Sequence, residues 1–196
     1  MEFSNYDSSL YANKQVAVSR SKIPDLLIVA LAVTPDERGW SKDSYHREEM
    51  IRLGFPEAFV PVQNVVTSNE HRGVTRGIHA ERINRYISVT RGLAFAAFVD
   101  LRDGPSFGVV ETVLLTPAVG IYLPGGCGNS YQTLTSDVQY SYFMDAHRTD
   151  GDVLTCVNLG DPELAIRWPI PLAEARVNDW DLRQPMLADV VPVCIR

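Results

Sequence analysis

The chain has 196 residues, 45% of them hydrophobic, enough for one substantial core. Its net charge of −6 excludes general nucleic-acid binding, which needs a basic surface, so an anionic ligand must meet a local arginine cluster. The longest apolar run, residues 26–33, is far shorter than the roughly 20 residues of a membrane span, so no membrane contact is expected.

Residues 1–22, rich in Ser, Asn and Tyr, are expected to form an N-terminal arm without a signal-peptide pattern. A single domain is expected over 23–196. Residues 26–33 read as a buried strand, and Pro35-Asp36-Glu37-Arg38-Gly39 as a turn. Residues 44–53 are the best helical stretch, with Tyr45, Met50, Ile51 and Leu53 on the inner face; Gly54 and Pro56 stop it. Strand patterns follow at 60–67, 73–79, 85–90, 93–101, 111–116, 120–123, 130–135, 138–144 and 154–158, separated mostly by Gly, Pro and Asp turns. Short strands without crossover helices predict a mainly β sandwich or barrel and exclude a doubly wound α/β sheet. The glycine-rich stretch 123–129 lies between two strands and reads as a tight barrel corner, not a phosphate loop.

Three residue groups carry candidate chemistry. His79 follows Arg76-Gly77-Ile78; an imidazole suits base chemistry near neutral pH, and an arginine beside it can hold an anion. Alternation puts Val138, Tyr140, Tyr142 and Met144 on one strand face. A phenol there is either an ordinary half-buried aromatic or a proton donor to a ligand. Arg76 and Arg85 sit in apolar strand patterns and need an anionic partner, a ligand phosphate being one candidate. Cys127, Cys156 and Cys194 have neither disulfide-framework nor zinc spacing and read as free thiols in a cytoplasmic protein. The four histidines are scattered, so no metal is expected.

Eight pieces in fixed order then resemble one family: Asp36 to Trp40, Gly54 to Phe59, Arg76 to Glu81, Val99 to Arg102, Ser106 to Gly108, Pro124 to Gly126, Tyr140 to Tyr142 and Asp161 to Pro169. Together they are similar to the dTDP-4-dehydrorhamnose 3,5-epimerases, which act on 4-keto-6-deoxy sugar nucleotides. The resemblance implies a jelly-roll (cupin-like) barrel, usually a homodimer, that works without a cofactor. It implies His79 as base, Asp161 as its orienter and Tyr142 as acid. It also implies Arg38 and Arg76 on the nucleotide phosphates, and Gln63 on the nucleotide. Three positions depart from the usual pattern. Arg85 stands in place of an enolate-stabilising lysine, Asn129 in place of a histidine, and His147 in place of an aromatic that contacts the base. The implied substrate is a dTDP-4-keto-6-deoxyhexose, inverted at C3, C5 or both. A non-catalytic sugar-nucleotide-binding barrel and a metal-dependent cupin are the competing readings.

Overall fold

The computed structural model describes residues 13–149 and 153–195. The expected arm therefore lies mostly outside the described residues. Its last part does not follow the expectation: β1 (Ala17–Arg20) is a strand, antiparallel to β2 (Leu27–Ala30). The predicted turn at 35–39 closes a small hairpin of β3 (Thr34–Asp36) and β4 (Gly39–Ser41), where Asp36 Oδ1 accepts the Arg38 N–H at 2.8 Å.

The helix is shorter than predicted. α1 covers Arg47–Arg52, because His46 caps it: its Nδ1 accepts the Glu49 N–H at 3.3 Å. Glu48 and Glu49 in the first turn and Arg52 in the last complement the helix dipole. Met50 is buried as expected, but Leu53 is 42% exposed, since the helix ends before its side chain turns inward.

Two sheets follow. β5 (Gln63–Asn69), β6 (Val74–Ala80), β7 (Arg85–Arg91), β8 (Ala94–Asp100), β9 (Val110–Leu115), β10 (Val119–Leu123), β11 (Cys127–Thr133), β12 (Val138–Met144), β13 (Thr155–Cys156) and β14 (Arg176–Val177) complete the strands. The first sheet runs β1-β2-β10-β7-β12-β5; the second runs β13-β6-β11-β8-β9, with β14 parallel to β6. Between them lie Leu26, Ile87, Val89, Ala96, Phe98, Ile121, Val138 and Tyr140, all buried. This is the mainly β, cupin-like barrel that was expected.

Both outer faces are covered as well. Met50, Phe55 and Phe59 pack with Leu27, Val29, Tyr86 and Tyr122 outside the first sheet. Leu159, Leu164, Leu187 and Val193 pack with Ile78, Val99 and Leu101 outside the second. Strands covered on both faces need no polar side, which is why β8 reads as a nearly continuous apolar run. The 123–129 stretch turns β10 into β11, with Gly126 at φ +81°.

Two of the recurring sequence pieces meet in one structural knot. Buried Asp100 accepts from Arg102 Nη2 at 2.7 Å, Arg102 Nε at 2.9 Å and Ser106 Oγ at 2.8 Å. Arg102 Nη2 also donates to the Pro24 carbonyl at 2.7 Å, tying the chain before β2 to the end of β8. These residues hold the barrel rather than the site.

Candidate active site

The site is built on β6. Arg76 and His79 are three residues apart, and an even strand would send them to opposite faces. The pairing of β6 with β11 shifts between them: Asn129 faces His79, but Tyr131 faces Arg76. The extra residue forms a bulge that turns both side chains toward one cavity. Gly77 sits in this bulge at φ +121°, where an added Cβ would lie 2.4 Å from Ser130 Cβ and 2.7 Å from the Asn129 carbonyl. Arg76 is consequently exposed to the cavity instead of embedded among apolar residues, and its Nε donates to Asn69 Oδ1 at 3.1 Å.

The cavity, about 500 Å³, is lined by Arg76, His79, Asn129, Tyr131, Tyr142, Arg176, Trp180 and Asp181 among others. A recess of about 80 Å³ shares His79, Asn129 and Tyr142 with it and adds Glu81, Arg85 and Arg148. His79 comes from the second sheet and Tyr142 from the first, so they stand on opposite walls. A larger concavity, about 650 Å³, lies between residues 14–16, the hairpin and α1, but its lining includes no histidine or tyrosine.

His79 is oriented by Asp181, not by Asp161. His79 Nε2 lies 2.8 Å from Asp181 Oδ1, and Asp181 is buried. A carboxylate only accepts, so the ring nitrogen facing it carries a proton, and in a neutral ring the lone pair then lies on Nδ1. Asp181 lies in α2 (Asp179–Leu182), capped by Asn178, whose Oδ1 accepts the Trp180 N–H at 2.9 Å. The pairing of β14 with β6 brings this short helix against the histidine. The Trp180 ring packs on the imidazole at a centroid distance of 5.4 Å. Asp161 instead accepts the Glu163 N–H at 2.7 Å and the Leu187 N–H. Its carboxylate is consumed in closing the buried Asp-Pro turn.

On the opposite wall, burial raises the Tyr142 phenol above its ordinary range, and the Arg85 guanidinium offsets this in part. The Arg85 guanidinium carbon stands 5.8 Å from the Tyr142 ring centre. Tyr142 therefore stays protonated at neutral pH and able to donate. Its neighbour Tyr140 is structural: it stacks on Tyr131 at 4.0 Å and donates to Asn129 Oδ1 at 2.7 Å, fixing the Asn129 amide between cavity and recess.

Arg85 has an anionic partner of its own. Its Nη2 binds Glu81 Oε2, and Arg148 Nη2 binds Glu81 Oε1 at 3.0 Å. The remaining expectations fare differently. Gln63 Oε1 accepts the Arg148 N–H at 3.0 Å, so it braces the segment after β12 and is absent from the cavity lining. His147 is exposed and outside the lining; the ring on His79 is Trp180. Arg38 is paired with Asp36 on the exposed hairpin, away from this chain's own cavity. Sequence reasoning missed Asp181, Trp180, Glu81, Arg148 and Arg176. The sequence Asn178-Asp179-Trp180-Asp181 did carry a helix-start signal that marked the segment.

A histidine and a tyrosine on facing walls, with arginines along the cavity, form a set of groups suited to acid–base proton transfer on an anionic substrate, on a cupin-like barrel. The sequence pattern of the dTDP-4-dehydrorhamnose 3,5-epimerases matches residues 20–189. The protein of Streptococcus pyogenes serotype M6 named Protein RmlC homolog is 38% identical over 179 residues, 88% of this chain and 89% of its own. The dTDP-4-dehydrorhamnose 3,5-epimerase of Pseudomonas aeruginosa is 29% identical over 160 residues, 78% of this chain and 86% of its own. The solved structure of RmlC from Streptococcus suis in complex with dTDP-D-xylose has a TM-score of 0.87 at 35% identity, covering 93% of this chain and 96% of that one. The chain belongs to the dTDP-4-dehydrorhamnose 3,5-epimerase family.

Proposed function

We propose that this protein is an isomerase of deoxysugar biosynthesis that inverts C3, C5 or both in a dTDP-4-keto-6-deoxyhexose. The observation that carries this reading is the placement of His79 and Tyr142 on opposite walls of one cavity. A ketone at C4 acidifies the hydrogens at C3 and C5, because the carbanion delocalises onto oxygen. His79, held by Asp181, removes the proton from one face. The Arg85 cation stabilises the enolate oxygen. Tyr142 returns a proton to the other face, and the centre is inverted. The substrate carries its own electron sink, so the cycle calls on no cofactor. Arg76 and Arg176, both exposed to the cavity, hold the diphosphate.

The same reading makes the protein a homodimer. Arg38 stands outside its own chain's cavity, so a phosphate contact from it would have to reach the site of a second copy. Sedimentation velocity tests this: a dimer is expected, and a monomer that turns over at full rate would refute it.

The activity test is incubation with dTDP-4-keto-6-deoxyglucose in D2O, with H3 and H5 followed by NMR. Exchange at both positions supports double inversion, and exchange at one supports a single-centre enzyme. A folded protein that exchanges neither position refutes the reading for this substrate.

A further inference from the structure

Arg76 carries a long side chain exposed to the cavity, yet one edge of its guanidinium is already held. The holder is Asn69, the last residue of β5, 2% exposed and absent from the cavity lining. β5 is the outer strand of the first sheet and β6 belongs to the second, so this bond crosses between the sheets. Asn69 Oδ1 accepts the Arg76 Nε–H at 3.1 Å and the Tyr131 hydroxyl at 3.3 Å. Asn69 Nδ2 donates to the Val138 carbonyl at 3.1 Å. Among the described residues, no hydrogen bond or ion pair engages the two Nη groups of Arg76.

Each group here faces the only way it can. The Val138 carbonyl accepts and never donates, so the amide nitrogen must face it. Arg76 Nε donates and never accepts, so the amide oxygen must face the arginine. A flipped amide would set donor against donor and acceptor against acceptor. The bond to Val138 is the half that serves the fold, because it ties β5 to β12. The other half serves Arg76, and it does so with a neutral group. Arg38, Arg85, Arg102 and Arg148 each face a carboxylate, which offsets their charge. Arg76 is fixed without such an offset, and its Nη edge stays available as a planar pair of donors to a phosphate. An arginine that is loose before binding loses rotamer freedom when a ligand fixes it, which weakens binding. The fold has already done part of that ordering.

We propose that Asn69 is a positioning residue that fixes Arg76 before a nucleotide arrives, presenting its two Nη groups to a diphosphate with their charge not offset. This deepens the epimerase reading and rests on its assignment of Arg76 to the diphosphate. Asn69 acts through Arg76, without touching the substrate.

Two measurements test it. The first needs no ligand. In protein labelled with ¹⁵N-arginine, the Arg76 Nε–H signal is assigned by its absence in Arg76→Met. That hydrogen is expected to exchange with water at least about tenfold more slowly than in free arginine, and to lose its protection in Asn69→Ala. An unprotected Arg76 Nε–H in the wild type overturns the proposal, even where Asn69→Ala fails to fold. The second is calorimetry with dTDP. Asn69→Ala is expected to weaken binding roughly 3- to 12-fold, the scale of ordering one rotamer-rich side chain. In an Arg76→Met background the same substitution is expected to cost less than about twofold. A folded Asn69→Ala that binds within threefold of wild type overturns the proposal. So does an equal fall in both backgrounds, because a merely structural role would act on both alike. A wild type with a protected Nε–H that does not bind dTDP overturns the proposal together with the nucleotide reading. A wild type that meets both expectations, yet exchanges no substrate hydrogen, would sink the activity reading alone.

Discussion

The division of labour between two buried aspartates gives the sharpest mutational contrast. Asp181 makes one hydrogen bond of functional weight, 2.8 Å to His79 Nε2. Asp181→Asn preserves shape, but its amide nitrogen or oxygen now faces the ring, and the tautomer with a free lone pair toward the cavity is no longer favoured. Loss of such an orienting carboxylate is expected to lower kcat by about 10²- to 10⁴-fold, equal to roughly 3–5 kcal/mol of barrier. The Tm should move little, because no backbone group depends on this carboxylate among the bonds described. Asp161 is the reverse case, accepting backbone N–H groups from Glu163 and Leu187 with its two oxygens. Asp161→Asn leaves one of those donors facing an amide N–H. At about 1.5–3 kcal/mol per hydrogen bond to a charged group, the loss is about 2–4 kcal/mol. For a chain of this size that lowers Tm by roughly 5–15 °C. Folded Asp161→Asn should keep kcat within about threefold of wild type. Steady-state kinetics and thermal melts on the two variants decide the matter. A stable, inactive Asp161→Asn beside an active Asp181→Asn would refute the assignment.

Further outcomes follow from the same structure. Gly77→Ala forces a side chain into Ser130 and the Asn129 carbonyl at a positive φ, so a loss of about 2–4 kcal/mol is expected by thermal melt. dTDP binding should be lost with it, since the bulge aims Arg76; normal binding by calorimetry would contradict this. Burial keeps the Tyr142 phenol above 10, so the alkaline fall of kcat should lie above pH 10; a fall centred near pH 8 in kcat would show that another group donates. Burial pushes the Asp100 carboxyl up, but Arg102 and Ser106 outweigh it and hold the group below its ordinary value. A depressed folded-state value contributes stability above the unfolded value near 3.8 that is lost as pH falls through the folded one. Asp100→Asn should therefore lower Tm at pH 7 and flatten its decline below about pH 4. Parallel wild-type and variant curves across that range would contradict the linkage.

The strands were legible because alternation and Gly or Pro turns are local signals. The run 138–144 put Tyr140 and Tyr142 on one face, and the fold keeps them there. The helix was overdrawn because a histidine cap at 46 is not a usual start signal. His79 was legible as a base candidate, but its shared cavity with Arg76 depends on a bulge, and one inserted residue in a ladder leaves little trace beyond Gly77. The orienting aspartate was not legible. Asp161 and Asp181 are 20 positions apart in one C-terminal stretch, and the pairing of β14 with β6 decides which one meets the histidine. Arg85 was expected to need an anion, and it has one from its own chain, four residues earlier.

The central claim is that His79 takes a proton from one face of the sugar and Tyr142 returns one to the other. It is tested most directly by measuring, in D2O, hydrogen exchange and product formation together for wild type, His79→Ala and Tyr142→Phe. The account predicts that His79→Ala abolishes both. It predicts that Tyr142→Phe keeps exchange at the face of the base while inversion falls at least about tenfold further. Equal loss of exchange and inversion in Tyr142→Phe, or persistent exchange in His79→Ala, would contradict it.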